Sequence, residues 1–283
     1  MPFVAIIGSG PLGGAIAQKL ATRDRVSEVR LIDEAEAVAS GKALDIQQSA
    51  PVDGFSARVT AAQTVDAAAG AAVIVLADSP AGAEHTGEAA LGIVRRIARA
   101  GGHAPIVFGG ALQAPLIARA AAELRVERGR LVGSAPAALE SALRALAALA
   151  LDGAGTEIAL RVLGVPPRSA VVAWESASLS GQPLTARVPA HVLAGLSARI
   201  PGLWPPGPYA LASAAARTVE AIVHGSRRHL TCFVALEAGP IRNALASMPA
   251  ALGPEGVRRI VPPVLSRQEQ TLVENAMEAG ALS

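Results

Sequence analysis

The chain has 283 residues, enough for one large domain or two of ordinary size with a substantial core. Apolar residues make up 51% but aromatics only 2%; alanine supplies much of the rest, and the most apolar helix-like run, Ala142 to Leu151, is broken by Arg144 and too short to span a bilayer. A net charge of +2, one cysteine and arginine pairs without interleaved aromatics argue against a disulfide framework, a cysteine metal cluster and a nucleic-acid platform.

In chain order, Val4-Ala5-Ile6-Ile7 runs straight into Gly8-Ser9-Gly10-Pro11-Leu12-Gly13, a G-x-G-x-x-G turn, and Ala15 to Leu20 follows with helical spacing. Gly8 permits a sharp turn and Gly10 a close approach to a pyrophosphate. Gly13 permits tight helix–strand packing, and the helix start at Pro11 and Leu12 faces the phosphates. A second strand, Val29 to Ile32, ends in Asp33, whose carboxylate suits an adenine-ribose diol; Glu34 beside it would repel a 2′-phosphate, favouring NAD over NADP. Helix-like sequence covers Ala35 to Gln48. Strands are predicted at Ala57 to Thr60 and Ala72 to Leu76, with a turn at Gly70. A loop from Ala77 to Glu88 precedes a helix from Leu91 to Ala100. Strand Pro105 to Phe108, helix Gln113 to Leu124 and strand Arg130 to Gly133 complete a β/α alternation, which implies a doubly wound parallel sheet.

From Pro136 the pattern changes. A long alanine–leucine helix reaches about Leu151, and Thr156 to Leu163 with Ser169 to Trp174 reads as an antiparallel pair. The proline-rich segment Pro201 to Pro208 precedes a helix from Tyr209 to His224. Strands His229 to Leu236, Ala244 to Ala250 and Val257 to Pro262 follow, and Ser266-Arg267-Gln268-Glu269 opens the last helix as a capping box. The expected organisation is a dinucleotide-binding domain over 1–134 and a smaller α+β domain with antiparallel strands over 135–283. The immediate start of the first strand leaves no signal peptide and suits a cytoplasmic protein.

With these motifs in this order the chain resembles the lactate/malate dehydrogenase family over essentially its whole length. The resemblance rests on the glycine turn with Asp33, on Gly41-Lys42-Ala43-Leu44-Asp45-Ile46-Gln47, on Val73-Ile74-Val75, on Val219-Glu220-Ala221-Ile222-Val223, and on Ser247 to Ile260. It implies a Rossmann domain, a substrate domain, NAD as cofactor, hydride transfer with a 2-hydroxy acid, and assembly as homodimer or homotetramer. Such chemistry needs a histidine base, an orienting carboxylate, an arginine fork for the substrate carboxylate and a lid arginine. By the resemblance, the histidine's place holds Pro166, the fork arginine's Leu143, the lid arginines' Ala81 and Gly87, and the asparagine's falls within Gly109-Gly110. Glu140 keeps the orienting charge. No histidine lies between His103 and His191.

The expectation is therefore a lactate/malate dehydrogenase-like NAD-binding protein without the ordinary activity, a pseudoenzyme scaffold. The competing reading is an NAD-dependent oxidoreductase with a rebuilt site acting on an unidentified hydroxy or keto substrate. For cofactor binding the candidates are Gly8, Gly10, Pro11, Leu12, Gly13 and Asp33. Alternative catalytic groups are His85 in the lid, Glu140, and Arg168 in the turn after the Val162 strand; each also has a plain reading as an exposed loop histidine, an ordinary helix residue and a solvated arginine. Asp78 and Ser79, at a strand's C-terminal end, either discourage an anionic ligand or simply cap the loop. Cys232 reads as core.

Overall fold

Uninterrupted apolar runs such as Val4 to Ile7 and Val73 to Leu76 are what a strand covered by helices on both faces requires. The computed structural model describes residues 2–151, 154–167, 169–238 and 241–281. Its first half alternates β1 (Phe3–Ile7), α1 (Pro11–Thr22), β2 (Glu28–Ile32), α2 (Glu36–Asp53), β3 (Arg58–Ala62), β4 (Val73–Leu76), α3 (Gly87–Ala100), β5 (Ile106–Phe108), α4 (Ala114–Glu123) and β6 (Leu131–Gly133). The second half contains α5 (Ala135–Leu151), β7 (Ile158–Ala159), β8 (Val162–Val165), β9 (Ser169–Val172), β10 (Ser178–Leu179), β11 (Gln182–Pro183), α6 (Ala190–Ser197), α7 (Pro208–His224), β12 (Leu230–Ala238), β13 (Ile241–Gly253), β14 (Gly256–Ile260) and α8 (Arg267–Ala281).

The strands β3-β2-β1-β4-β5-β6 lie side by side and parallel, and the sheet continues through β12, β13, β8 and β9 with antiparallel pairing. Chain order reverses between β1 and β4, so the crevice at their C-terminal ends is where such sheets admit ligands. A doubly wound parallel sheet with a smaller antiparallel part is thus what forms. The main core extends through α7, β12 and β13, while a second apolar cluster gathers Leu139 and Leu143 of α5 with Ile158, Leu160, Val162, Leu193 and Ile200.

Several details differ from the sequence expectation, the short strands β10 and β11 among them. The run Thr156 to Leu163 is two strands: β7 pairs with β10, and only β8 pairs with β9. Helix α6 was not anticipated, since its alanine- and glycine-containing sequence shows little periodic contrast. Helix α2 runs on through Pro51 to a left-handed Gly54. The predicted capping box is present: Ser266 N–H donates to Glu269 at 2.8 Å and Glu269 N–H to Ser266 Oγ at 3.3 Å. No helix among the described residues is long and apolar enough to cross a membrane.

The seam between parallel and antiparallel strands is held by Phe233 of β12, which is 1% exposed, pairs in register with Gly133 and meets Trp204 edge to face at 6.0 Å. Phe233→Ala is expected to cost about 4 kcal/mol, read as a lowered urea midpoint with an unchanged slope.

Candidate functional site

Helix α1 begins at Gly10, which has no side chain to cap it, and Pro11 lacks an N–H. The cap comes from 66 residues away: Leu12 N–H donates to Asp78 Oδ2 at 3.0 Å and Gly13 N–H to Asp78 Oδ1 at 2.9 Å. Asp78 follows β4 and is 3% exposed. A carboxylate is well placed there, because the N-terminal dipole and two free amides both favour negative charge. Gly10 is obligatory for this arrangement, since a Cβ would overlap both the Asp78 carboxylate and the Ser79 carbonyl. Lys42 Nζ closes the turn from the other side by donating to Gly10 O at 3.0 Å.

Asp33 ends β2 half-buried. Its Oδ2 accepts from Ser9 N–H at 2.8 Å and Ser9 Oγ at 3.0 Å, and its Oδ1 accepts from Ala35 N–H at 3.0 Å. Beside it opens a cavity of ≈ 260 Å³ at the ends of β1, β2 and β4, lined by Gly8, Ile32, Asp33, Val65, His85 and Ile93 among others. Arg96 reaches the same cavity and pairs with the exposed Glu34 at 3.5 Å.

The segment after Asp78 folds back on itself. Ser79 N–H donates to Ala83 O at 2.9 Å, Gly82 N–H to Ser79 O at 2.8 Å, and Asp78 forms a β-bridge with Glu84. That return places the Glu84 carboxylate on the turn after β5, where Ala111 N–H donates to it at 3.0 Å and Leu112 N–H at 2.7 Å. Burial raises the Glu84 carboxyl above its ordinary range, and the nearby Asp78 charge raises it further. His85 is half-buried rather than solvated, and its Nε2 is buried without a hydrogen-bond partner among the described residues. Burial lowers its pKa, with Asp33 and Asp78 pulling the other way.

The other candidates fall elsewhere. Glu140 is 2% exposed on α5, not an ordinary surface position. Its Oε1 accepts from Val162 N–H at 3.0 Å and its Oε2 pairs with Arg161 at 3.2 Å; burial raises its pKa, while Arg161 and Thr231 act in the opposite direction. Leu143 is wholly buried in the second apolar cluster, and the adjacent Arg144 lines a different cavity with Glu140. Arg168 lies outside the described residues. Cys232 is buried and its thiol is pushed up to about 12 by burial first and then by Glu140, which suits a core residue. No cluster of three or more metal-ligating side chains exists among the described residues.

Residues 3–94 match the family model described as lactate/malate dehydrogenase, NAD binding domain. Along the whole chain, the malate dehydrogenase of Flavobacterium frigidimaris is 27% identical, covering 98% of this chain and 95% of that protein. That of Thermomicrobium roseum is 28% identical, with 98% and 95% covered. Residues 3–94 thus match the NAD-binding domain of the lactate/malate dehydrogenase family, and over its whole length the chain is similar to malate dehydrogenases. The fold agrees: the Cryptosporidium parvum lactate dehydrogenase, solved with lactic acid and NAD, superposes with a TM-score of 0.87 at 20% identity, covering 99% of this chain and 96% of that one. The Aeropyrum pernix malate dehydrogenase gives 0.86 at 20% identity, covering 98% and 95%.

The matched residues 3–94 include the glycine turn and Asp33, and the residues around them fit NAD unevenly. The cavity beside Asp33 suits the adenosine end in size, apolar lining and hydrogen-bonding capacity. The diphosphate position does not fit as it stands, because Asp78 already holds the Leu12 and Gly13 amides and Pro11 supplies none. The glycine turn and Asp33 lie together at the strand ends, as their spacing in the sequence implies. The partner amides of Asp78 and Glu84 lie 66 and 27 positions away, so spacing does not show them.

Two outcomes follow. Asp78→Ala is expected to lower stability by about 1 kcal/mol through loss of the cap, yet to tighten NAD binding at least tenfold by calorimetry. A group whose folded pKa is depressed contributes stability that is present above its unfolded pKa and lost as pH falls. The raised Glu84 carboxyl acts in the opposite direction, so the His85 effect is read as a difference: as pH falls from about 7 to about 5, residues 77–88 should gain more protease sensitivity in the wild type than in His85→Leu.

Proposed function

We propose that this protein is a lactate/malate dehydrogenase-like nucleotide-binding protein that holds NAD by its adenosine end and does not perform ordinary lactate or malate turnover. The observation that carries the reading is the cleft filled by its own carboxylates: Asp78 on the α1 amides and Glu84 on the amides of Ala111 and Leu112. Bound NAD would supply a hydride-accepting nicotinamide carbon. The chain's own groups give that chemistry little help. Pro166 has no exchangeable proton, Leu143 packs in an apolar core, and Ala81 and Gly87 present no guanidinium in the lid. Glu140 serves Arg161 and the backbone of β8 rather than a histidine.

A rebuilt oxidoreductase would draw on His85, the one imidazole facing the cleft among the described residues. His85 lines the cavity together with Ile32, Asp33 and Val65, at the adenosine end, so its proton is remote from a nicotinamide-end substrate. This placement favours a binding role. Helix α2 exposes Val38, Leu44 and Val52, an apolar set consistent with assembly as a homodimer or homotetramer, and the composition suits a cytoplasmic setting.

The test is calorimetry with NAD, followed by NADH oxidation in the presence of oxaloacetate or pyruvate. The expected result is binding in the high micromolar to millimolar range with turnover at background. Turnover clearly above background, or no binding of NAD or ADP at millimolar concentration, would overturn the reading.

A further inference from the structure

A second cavity, of ≈ 500 Å³, lies between α5, α7 and the turn that leads into β12. It shares no lining residue with the cleft beside Asp33. Ala137 on α5 faces Ala210 and Ala214 on α7, and these small side chains leave the room. Around it stand Arg144, Arg161, Arg217, Arg227 and Arg228, with Glu140 as the lone acidic lining residue.

Two of the five guanidiniums are engaged. Arg161 pairs with Glu140 at 3.2 Å and donates to His229 O at 3.1 Å, and Arg217 lies 3.6 Å from Glu220, which also takes Arg23 at 3.1 Å. Arg144, Arg227 and Arg228 make no ion pair among the described residues, and the Arg144 Nε is buried with no hydrogen-bond partner there. A buried donor on a permanently charged group is costly to leave unmade, and converging guanidiniums also repel one another. Both costs are relieved by an oxyanion that enters the cavity.

We infer that this cavity binds a small polyanion carrying two or more phosphoryl or carboxylate groups, held by Arg144 at its floor and by Arg227 and Arg228 at its rim. Planar guanidinium forks match either oxyanion, and three uncommitted forks exceed what a single group can use. The volume is that of a small-molecule site. No Phe, Tyr or Trp lines it, so there is no platform on which a nucleobase would stack. The inference is independent of nucleotide binding in the first cleft.

Calorimetric titration with pyrophosphate and with citrate, against orthophosphate as the single-group control, tests it. At least one of the two should bind tenfold or more tighter than orthophosphate, and whichever wins identifies the phosphoryl or the carboxylate source. Affinity should drop at least tenfold in Arg144→Gln and in Arg227→Ala/Arg228→Ala. The double variant alters exposed turn residues and should keep the wild-type Tm. Saturating NAD should leave binding unchanged. Equal affinity for all three anions, unaltered affinity in the folded double variant, or displacement of pyrophosphate by NAD would each overturn the assignment.

Discussion

The carboxylate of Asp78 on the first amides of α1 is the contact on which the rest of the cleft depends. A helix start with a glycine cap position and a proline has few ways to satisfy its N–H groups. A helix end without partners is destabilised by about 1 kcal/mol. Asp78 meets that need from the end of the neighbouring strand, and in doing so fixes the direction in which the following segment leaves the sheet. The return through Gly82 then brings Glu84 to the turn after β5 and His85 over the cavity beside Asp33. One intramolecular anion thus orders three parts of the site.

The same contact sets the terms for any nucleotide. Hydrogen bonds to a charged acceptor contribute roughly 1.5–3 kcal/mol each, so exchanging Asp78 for a diphosphate loses about as much as it gains. The adenosine end meets no such competitor. The fold is that of lactate and malate dehydrogenases, with the α/β packing and the glycine turn in place. At the strand ends beside that turn, Asp78 and Glu84 bind the protein's own amides. Fold and chemistry are separable in this way because the sheet is stabilised by its apolar strands, not by the residues at their ends.

Much of the frame was legible in the sequence because it rests on local signals. The strand Val4 to Ile7, the glycine spacing and Asp33 specify a strand–turn–helix unit within thirty-three residues, and Ser266 with Glu269 announces a helix start within four. Cys232 and the α7 helix followed from apolar patterning. What escaped the sequence is non-local. Asp78 finds its amides 66 positions back, and Glu140 pairs with Arg161 across the α5–β8 connection, so neither partner is implied by spacing. The division of Thr156 to Leu163 into two strands depends on which neighbours each half meets. His85 read as an exposed loop residue because nothing local shows that the loop folds back.

The measurement that bears most directly on this account is the ratio of ADP to adenosine affinity, taken by calorimetry on wild-type protein and on Asp78→Ala. Competition between Asp78 and a diphosphate predicts that ADP binds no tighter than adenosine in the wild type, and at least tenfold tighter once the carboxylate is removed. A wild-type protein that already prefers ADP strongly, with no further gain on removing Asp78, would mean that the α1 amides are open to phosphate and that the carboxylate is not the competitor described.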